Sequence, residues 1–426
     1  MLVRGAVLVW TGGRELEGTD VLISDGRVAA LGDGAGEAHD GGVLDADGCI
    51  VTPGLVNAHH HLLQSAFRTL PAARHVAMRE WLAIMAAAYR AAGVDAELCA
   101  AAAGVATAES LLCGVTTVAD HHLTWPAGAD HLGMARATIG TAHRLGSRLV
   151  FVRGTAGDDP ETAAANCDEL ARAHGTDDGM LQLAVGPAGV HSDGPEAFRL
   201  LADVAATHGL RRRTQANEQV DVERAAERYG RRPLDLLDDW GWLAPDVTIA
   251  HLCAITDAEA DRVAASGVTA THAPGCDLPS GWGVSPVAAL RARGVVVGLG
   301  TSGGGSNDAG HLLADARLAM QVAPLSGAAL TARDVLAMAT RGSALGLGRD
   351  ELGHLEPGAA ADLCCWDVSG VADAGVADPL AGLVWANPGR RPRHVVVAGR
   401  VVVRDWELVT ADERDLAAQL RARQRA

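Results

Sequence analysis

The chain has 426 residues, 48% of them hydrophobic and 21% charged, so it can bury a large core and is too apolar for disorder to dominate. At roughly 150 residues per domain, this length suits two or three domains, or one large barrel with an accessory domain. A net charge of −16, with only 3 Phe and 2 Tyr, argues against nucleic acid or an anionic membrane as partner, since those reward basic patches and stacking platforms.

The first fifty residues read as short strands around Asp-Gly turns: Leu8–Trp10 and its neighbours, then DVLISDGRVAALG, then GGVLDADGCIVTPG. Residues 55–345 alternate differently. Ala-rich helical stretches are predicted at Ala87–Leu112, Asp158–His174, Pro195–His208, Asp257–Ser266 and Leu312–Gln321. Between them lie short apolar strands: TTVAD, RLVFVRG, LQLAVGP, VTIAHL, VTATHA and VVVGLGT. About eight strand–helix units at this spacing predict parallel βαβ packing, and the span is close to the ~250 residues of a (β/α)8 barrel. The last seventy residues return to the β texture of the first fifty, in LEPGAAADLCCWDV and RRPRHVVVAGRVVVRDWEL. The expected architecture is an α/β chain: a distorted (β/α)8 TIM barrel over 56–355, with a small β-sandwich built from 1–55 and 356–426.

The N-terminal segment has no apolar run suited to a signal peptide, and no apolar stretch reaches ~18 residues, so neither a leader nor a membrane span is expected. The 8 Cys are scattered without a C-x-x-C, and read as reduced core residues of a cytoplasmic protein. All 36 basic residues are Arg. Lysine chemistry is thereby excluded: a P-loop, a Schiff base, or a carbamylated-lysine metal bridge.

In a barrel the chemistry sits where strands end. His59 and His61, in VNAHHH, project to one face of an extended strand while His60 turns away. Two imidazoles so placed suit a divalent metal at ~2.0–2.1 Å per nitrogen. The plainer alternative, a surface His tract, is weakened by the interior position. His121, His122, His191, His251 and His272 each follow or end an apolar run, where successive strands would open onto one mouth. Gly300-Thr301-Ser302-Gly303-Gly304 is literally G-x-S-x-G, so Ser302 is also a candidate nucleophile for metal-free acyl transfer. The bland reading of Gly303–Gly305 is a flexible loop whose small residues leave room for a ligand.

Four segments together resemble the amidohydrolase superfamily: PGLVNAHHHLLQ, RYGRRPLDLLDDWGWLAPDVTIAHL, THAPGCDLPSGWGVSPVAALRARGVVVGLGTSGGGSND and ATRGSALGLGRDELGHLEPGAAADL. The nearest branch is the cytosine/guanine-deaminase-like group, with 8-oxoguanine deaminases and triazine hydrolases. The resemblance spans essentially the whole chain. It implies hydrolysis at a C–N bond of a nitrogen heterocycle or cyclic amidine or amide. It also implies one zinc or iron, held by the H-x-H pair (His59 and His61), a fifth-strand His and an eighth-strand Asp.

Two of those four positions differ here. The fifth-strand motif, roughly T-H-L-A-E, is Thr214-Gln215-Ala216-Asn217-Glu218, so the metal His is Gln215 while the acidic residue is kept as Glu218. The eighth-strand Asp is Ser302. Gln and Ser are neutral, weak ligands, so the expectation is reduced metal affinity or a metal-free site. His251 matches the assisting strand-six His, and Glu218 with His251 forms the natural acid–base pair. That pair would also support an elimination, isomerisation or cyclisation without metal; a catalytically inactive binding protein is a further alternative. Glu218 could instead be a remnant paired with Arg211, Arg212 or Arg213.

Gln64 matches a position that hydrogen-bonds the heterocycle's amide edge, Trp81 lies on the segment capping the barrel, and His191 faces the mouth. His272 precedes Ala-Pro-Gly-Cys-Asp, where relatives show Cys-Pro-x-Ser-Asn. Asp308 is a further substrate contact, able to substitute for the lost carboxylate if the backbone has moved. A homodimer is expected by analogy with that group.

Overall fold

The structure, a computed structural model, describes residues 1–32, 34–36, 41–175 and 179–425. Its centre is a parallel barrel whose strands follow one another in chain order: Leu55–His61, Val115–His122, Arg148–Thr155, Leu181–Pro187, Arg211–Ala216, Val247–His251, Thr269–His272 and Val297–Leu299. The eighth strand resumes at Ser302–Gly303, which pairs with His60 and His61 and closes the ring. Nearly every residue of these strands is buried, because helices cover the outside and side chains fill the inside.

Four helices form close to where the hydrophobic pattern places them: Pro160–His174, Pro195–His208, Asp257–Ser266 and Leu312–Val322. Local chemistry sets their ends. Asp159 accepts from the Thr162 N–H at 2.9 Å, and Thr256 with Glu259 forms a reciprocal capping box. The stretch expected as one helix from Ala87 is two helices, Met78–Ala92 and Ala96–Leu112. Gly93 stops the first in the left-handed region, at φ 59°, and the Asp95 carboxylate caps the second. Alanine periodicity runs through both and hides the break. Among the described residues no single helix is long and apolar enough to cross a membrane; these two pass that test only as a pair bent by 118°.

Both termini build sheets beside the barrel. A four-stranded sheet (Arg27–Gly32, Asp20–Ser24, Leu2–Arg4, Val43–Asp45) faces a seven-stranded one, in which Cys49–Pro53 pairs with Leu363–Asp367. Val9, Val21, Ile23, Val51, Leu363 and Val396 fill the space between them. The chain's end differs from its predicted β texture: Glu413–Arg423 is a helix, capped by Asp412 accepting from the N–H groups of Arg414 and Asp415. All eight cysteines are free. One buried ion pair ties the barrel to the terminal sheets: Arg148, opening the third strand, meets Asp362 through two hydrogen bonds of 2.7 and 3.0 Å.

Candidate active site

The C-terminal ends of the strands open into a cavity of about 710 Å³. Of the residues singled out from sequence, His61, Gln64, Trp81, His121, His122, His191, Gln215, Glu218 and Ser302 line it. His59 and His251 lie beneath this floor. The His59 ring centroid is 4.8 Å from that of His61 and 5.3 Å from that of His251. His60 turns away and pairs with Thr301 Oγ1 at 2.9 Å. Strained backbone concentrates here: Asn217, His251 and Ser302, each at or just past a strand end, have φ of 57°, 74° and 53°.

The strand-five and strand-six side is built for protons. His251 Nδ1–H donates to Asp277 Oδ1 at 2.6 Å, and Nε2–H donates to Gln215 Oε1 at 3.2 Å, with Glu218 Oε1 3.6 Å away. Burial opposes charging this ring, but Asp277 and Glu218 more than offset it, and its pKa is raised to about 9. Glu218 has both carboxyl oxygens buried without a hydrogen-bond partner, at the mouth of helix Gln219–Tyr229. Burial pushes this carboxyl above its usual range, and His251 and His191 pull it back only in part. The remnant reading fails: Arg212 pairs with Asp246, Arg211 reaches the Pro245 carbonyl, and Arg213 donates to the Ala58 carbonyl.

The strand-one side is neutral. Burial, then His61 and His251, holds His59 well below its ordinary pKa, and burial takes His61 to about 4. His61 Nδ1–H donates to the His121 carbonyl at 2.6 Å, which leaves Nε2 free to face the cavity; His59 Nε2 is buried and unpartnered. Two imidazoles are therefore ready to bind a metal, but the rest of the donor set does not fit a firmly held one. Gln215 Oε1 already accepts from His251, and Ser302 offers a hydroxyl 3.5 Å from Ser306 Oγ. Neither Gln215 nor Ser302 is anionic, and the buried cation Arg213 lies close enough to His59 to add to its depressed pKa. His251, Cys276 and Asp277 present donor atoms within 4.8 Å of one another. The 2.6 Å bond in that group is shorter than the separation of about 3.3 Å between ligands on one tetrahedral ion, so it is a hydrogen bond and not a collapsed metal shell.

Several expectations need correction. No imidazole among the described residues hydrogen-bonds Ser302, so its nucleophile role lacks a base. Asp308 points away: it accepts from the Thr69 N–H and pairs with Arg74. His272 is buried below the cavity, with Nδ1 3.9 Å from Asp277 Oδ2. The Gly303–Gly305 run is not spare room. Gln64 Oε1 accepts from the Gly305 N–H, Trp81 Nε1–H donates to the Gly305 carbonyl, and a Cβ on Gly303 would lie 1.9 Å from Gln64 Oε1. His191 lines the cavity, with its Nδ1 turned to the buried Asp221 at 3.3 Å.

Three contributors escape a sequence reading. Asp277 backs His251 from 26 residues away. Asp120 lines the cavity and accepts from the Leu62 N–H just after the H-x-H pair. Trp282 packs edge-on against Trp81 and His251. The Cys-Asp following His272 was the one available signal for the first.

Fold and site together define a TIM-barrel hydrolase, with paired imidazoles on strand one and an acid–base set on strands five and six. The chain belongs to the amidohydrolase family, whose model matches residues 50–402. It is 34% identical over 429 residues to the 8-oxoguanine deaminase of Pseudomonas aeruginosa, covering 95% of this chain and 93% of that one. It is 33% identical over 413 residues to the 5-methylthioadenosine/S-adenosylhomocysteine deaminase of Halobacterium salinarum, covering 94% and 92%. The crystal structure of atrazine chlorohydrolase from Arthrobacter aurescens TC1, complexed with zinc, superposes with a TM-score of 0.94 at 35% identity over 99% of each chain.

Proposed function

We propose that this protein hydrolyses a carbon–heteroatom bond on a small nitrogen heterocycle, most simply by deamination. The observation that carries this reading is the buried, unpartnered Glu218 carboxyl facing the cavity beside His251. A carboxyl whose pKa is raised by burial is better suited to take a proton from water and hand it on. In the proposed sequence, water oxygen adds to the amino-bearing ring carbon. Its proton passes to Glu218 and from there to the adjacent ring nitrogen. The resulting carbon bears OH and NH2. Glu218 then moves the hydroxyl proton to the amino group, ammonia leaves, and a ring C=O remains. His251, donating from Nε2, stabilises the oxygen as charge develops on it. On a chlorine-bearing ring carbon the corresponding adduct bears OH and Cl; Glu218 takes the hydroxyl proton, chloride leaves and a ring C=O remains, consistent with the name of the atrazine chlorohydrolase relative.

A divalent metal such as zinc or iron would take His59 and His61 as its imidazole ligands, at a single site. We propose reduced affinity there, since Gln215 and Ser302 supply only neutral oxygens. The partner in this reading is a small molecule, not nucleic acid or membrane, and the protein works in the cytoplasm as a homodimer. The test is turnover of 8-oxoguanine, 5-methylthioadenosine and atrazine, with ammonia and chloride release measured, by wild type and Glu218→Gln. Release abolished in the variant supports the reading. Release unaffected by the variant would discard it.

A further inference from the structure

We infer that Asp277 is a positioning residue for His251: its buried bond to Nδ1 fixes the ring with Nε2 aimed at Gln215 Oε1 and Glu218, bringing imidazole and carboxyl to one point of the cavity floor. This rests on the function proposed above for that pair.

The geometry is specific. Asp277 follows strand seven on the short helix Pro274–Asp277, and His251 ends strand six in the left-handed region. An imidazole on a strained strand end could turn about its side-chain bonds. The 2.6 Å bond holds one nitrogen, and the carboxylate permits only the form with a proton on Nδ1. The other nitrogen is thereby committed to the cavity side, where Gln215 Oε1 lies at 3.2 Å and Glu218 Oε1 at 3.6 Å. Both Asp277 and His251 are buried, so water does not compete for the bond. The Asp277 Oδ2 atom has no hydrogen-bond partner, and His272 Nδ1 stands 3.9 Å from it, beyond hydrogen-bond range. Asp277 thus hydrogen-bonds one imidazole, His251, while His272 and the Cys253 thiol stand beside it.

The test uses the full chain with 15N-labelled histidine, as wild type, Asp277→Ala, Asp277→Asn and His251→Asn. The His251 Nδ1 proton resonance, assigned by its absence in His251→Asn, is expected to be protected in wild type, lost in Asp277→Ala and retained at a shifted position in Asp277→Asn. On any heterocycle the wild type turns over, Asp277→Ala should lower kcat about 10–100-fold with KM within about threefold. Asp277→Asn keeps one acceptor oxygen and should recover most of that loss. Two results overturn the proposal: a resonance unmoved in folded Asp277→Ala, or equal kcat in wild type and Asp277→Ala. If Asp277→Ala does not fold, Asp277→Asn decides by the resonance alone. If wild type turns over no heterocycle, the proposed function fails, while the resonance still decides the Asp277–His251 coupling.

Discussion

The two halves of the cavity floor differ in what they can hold. Strands one and eight present His59, His61 and Ser302, all neutral, with the buried cation Arg213 close to His59. Strands five to seven and the turns after them present Glu218, Asp221 and Asp277 around His251 and His191. Acidic groups crowd the second half, whereas the first has only Asp120 beside the H-x-H pair. That distribution suits the second half to moving protons, since its carboxyls face imidazoles within a few ångströms.

The largest expected effect breaks the proton-handling half. Glu218→Gln keeps the side chain's size and removes its ionisation, and should cost about 10²–10⁴-fold in kcat, measured by ammonia release. Next, Gln215→His with Ser302→Asp should rebuild the cage. Each restored ligand is worth at least the ~10–100-fold of an outer-shell partner, so zinc affinity should rise at least 100-fold, read by competition with a chromogenic chelator. Wild type should accordingly be stripped by a chelator far more readily than the double variant.

A smaller effect concerns stability. Burial raises the Asp120 carboxyl to about 7, only partly offset by the Leu62 N–H. The folded protein then binds more protons than the unfolded one between about pH 4 and 7, so this residue's contribution weakens as pH rises through that window and levels off above it. The cost at pH 8 is at most about 4 kcal/mol. Asp120→Asn keeps an acceptor for Leu62 and should raise the melting temperature at pH 8 while leaving it little changed near pH 4. The smallest effect probes the packed glycines: Gly303→Ala should destabilise by about 1–3 kcal/mol, and adding Gln64→Ala should relieve most of it, a coupling that a double-mutant cycle measures.

The barrel was legible because its signals are periodic. Short apolar strands ending in polar residues mark both the topology and the ends where chemistry gathers, and the H-x-H spacing puts two imidazoles on one face. The missed features are contacts between residues far apart in the chain. Asp277 meets His251 across the space between two strand ends, and Gln64 occupies the niche left by Gly303, 239 positions away. Asp308 misled for a related reason: its place just after strand eight is suitable, but its φ of 66° and the nearby Arg74 draw it aside. The split after Ala92 needed recognition of Gly93 as a left-handed stop within an unbroken alanine pattern.

The Arg148–Asp362 pair bears on how the molecule comes apart. Its charges sit in a dry seam, and removing one partner while the other stays buried typically costs about 3–5 kcal/mol. The two bodies should therefore melt as one cooperative unit, and a barrel expressed without its flanking segments would keep that guanidinium on the Gly179 carbonyl but without its carboxylate.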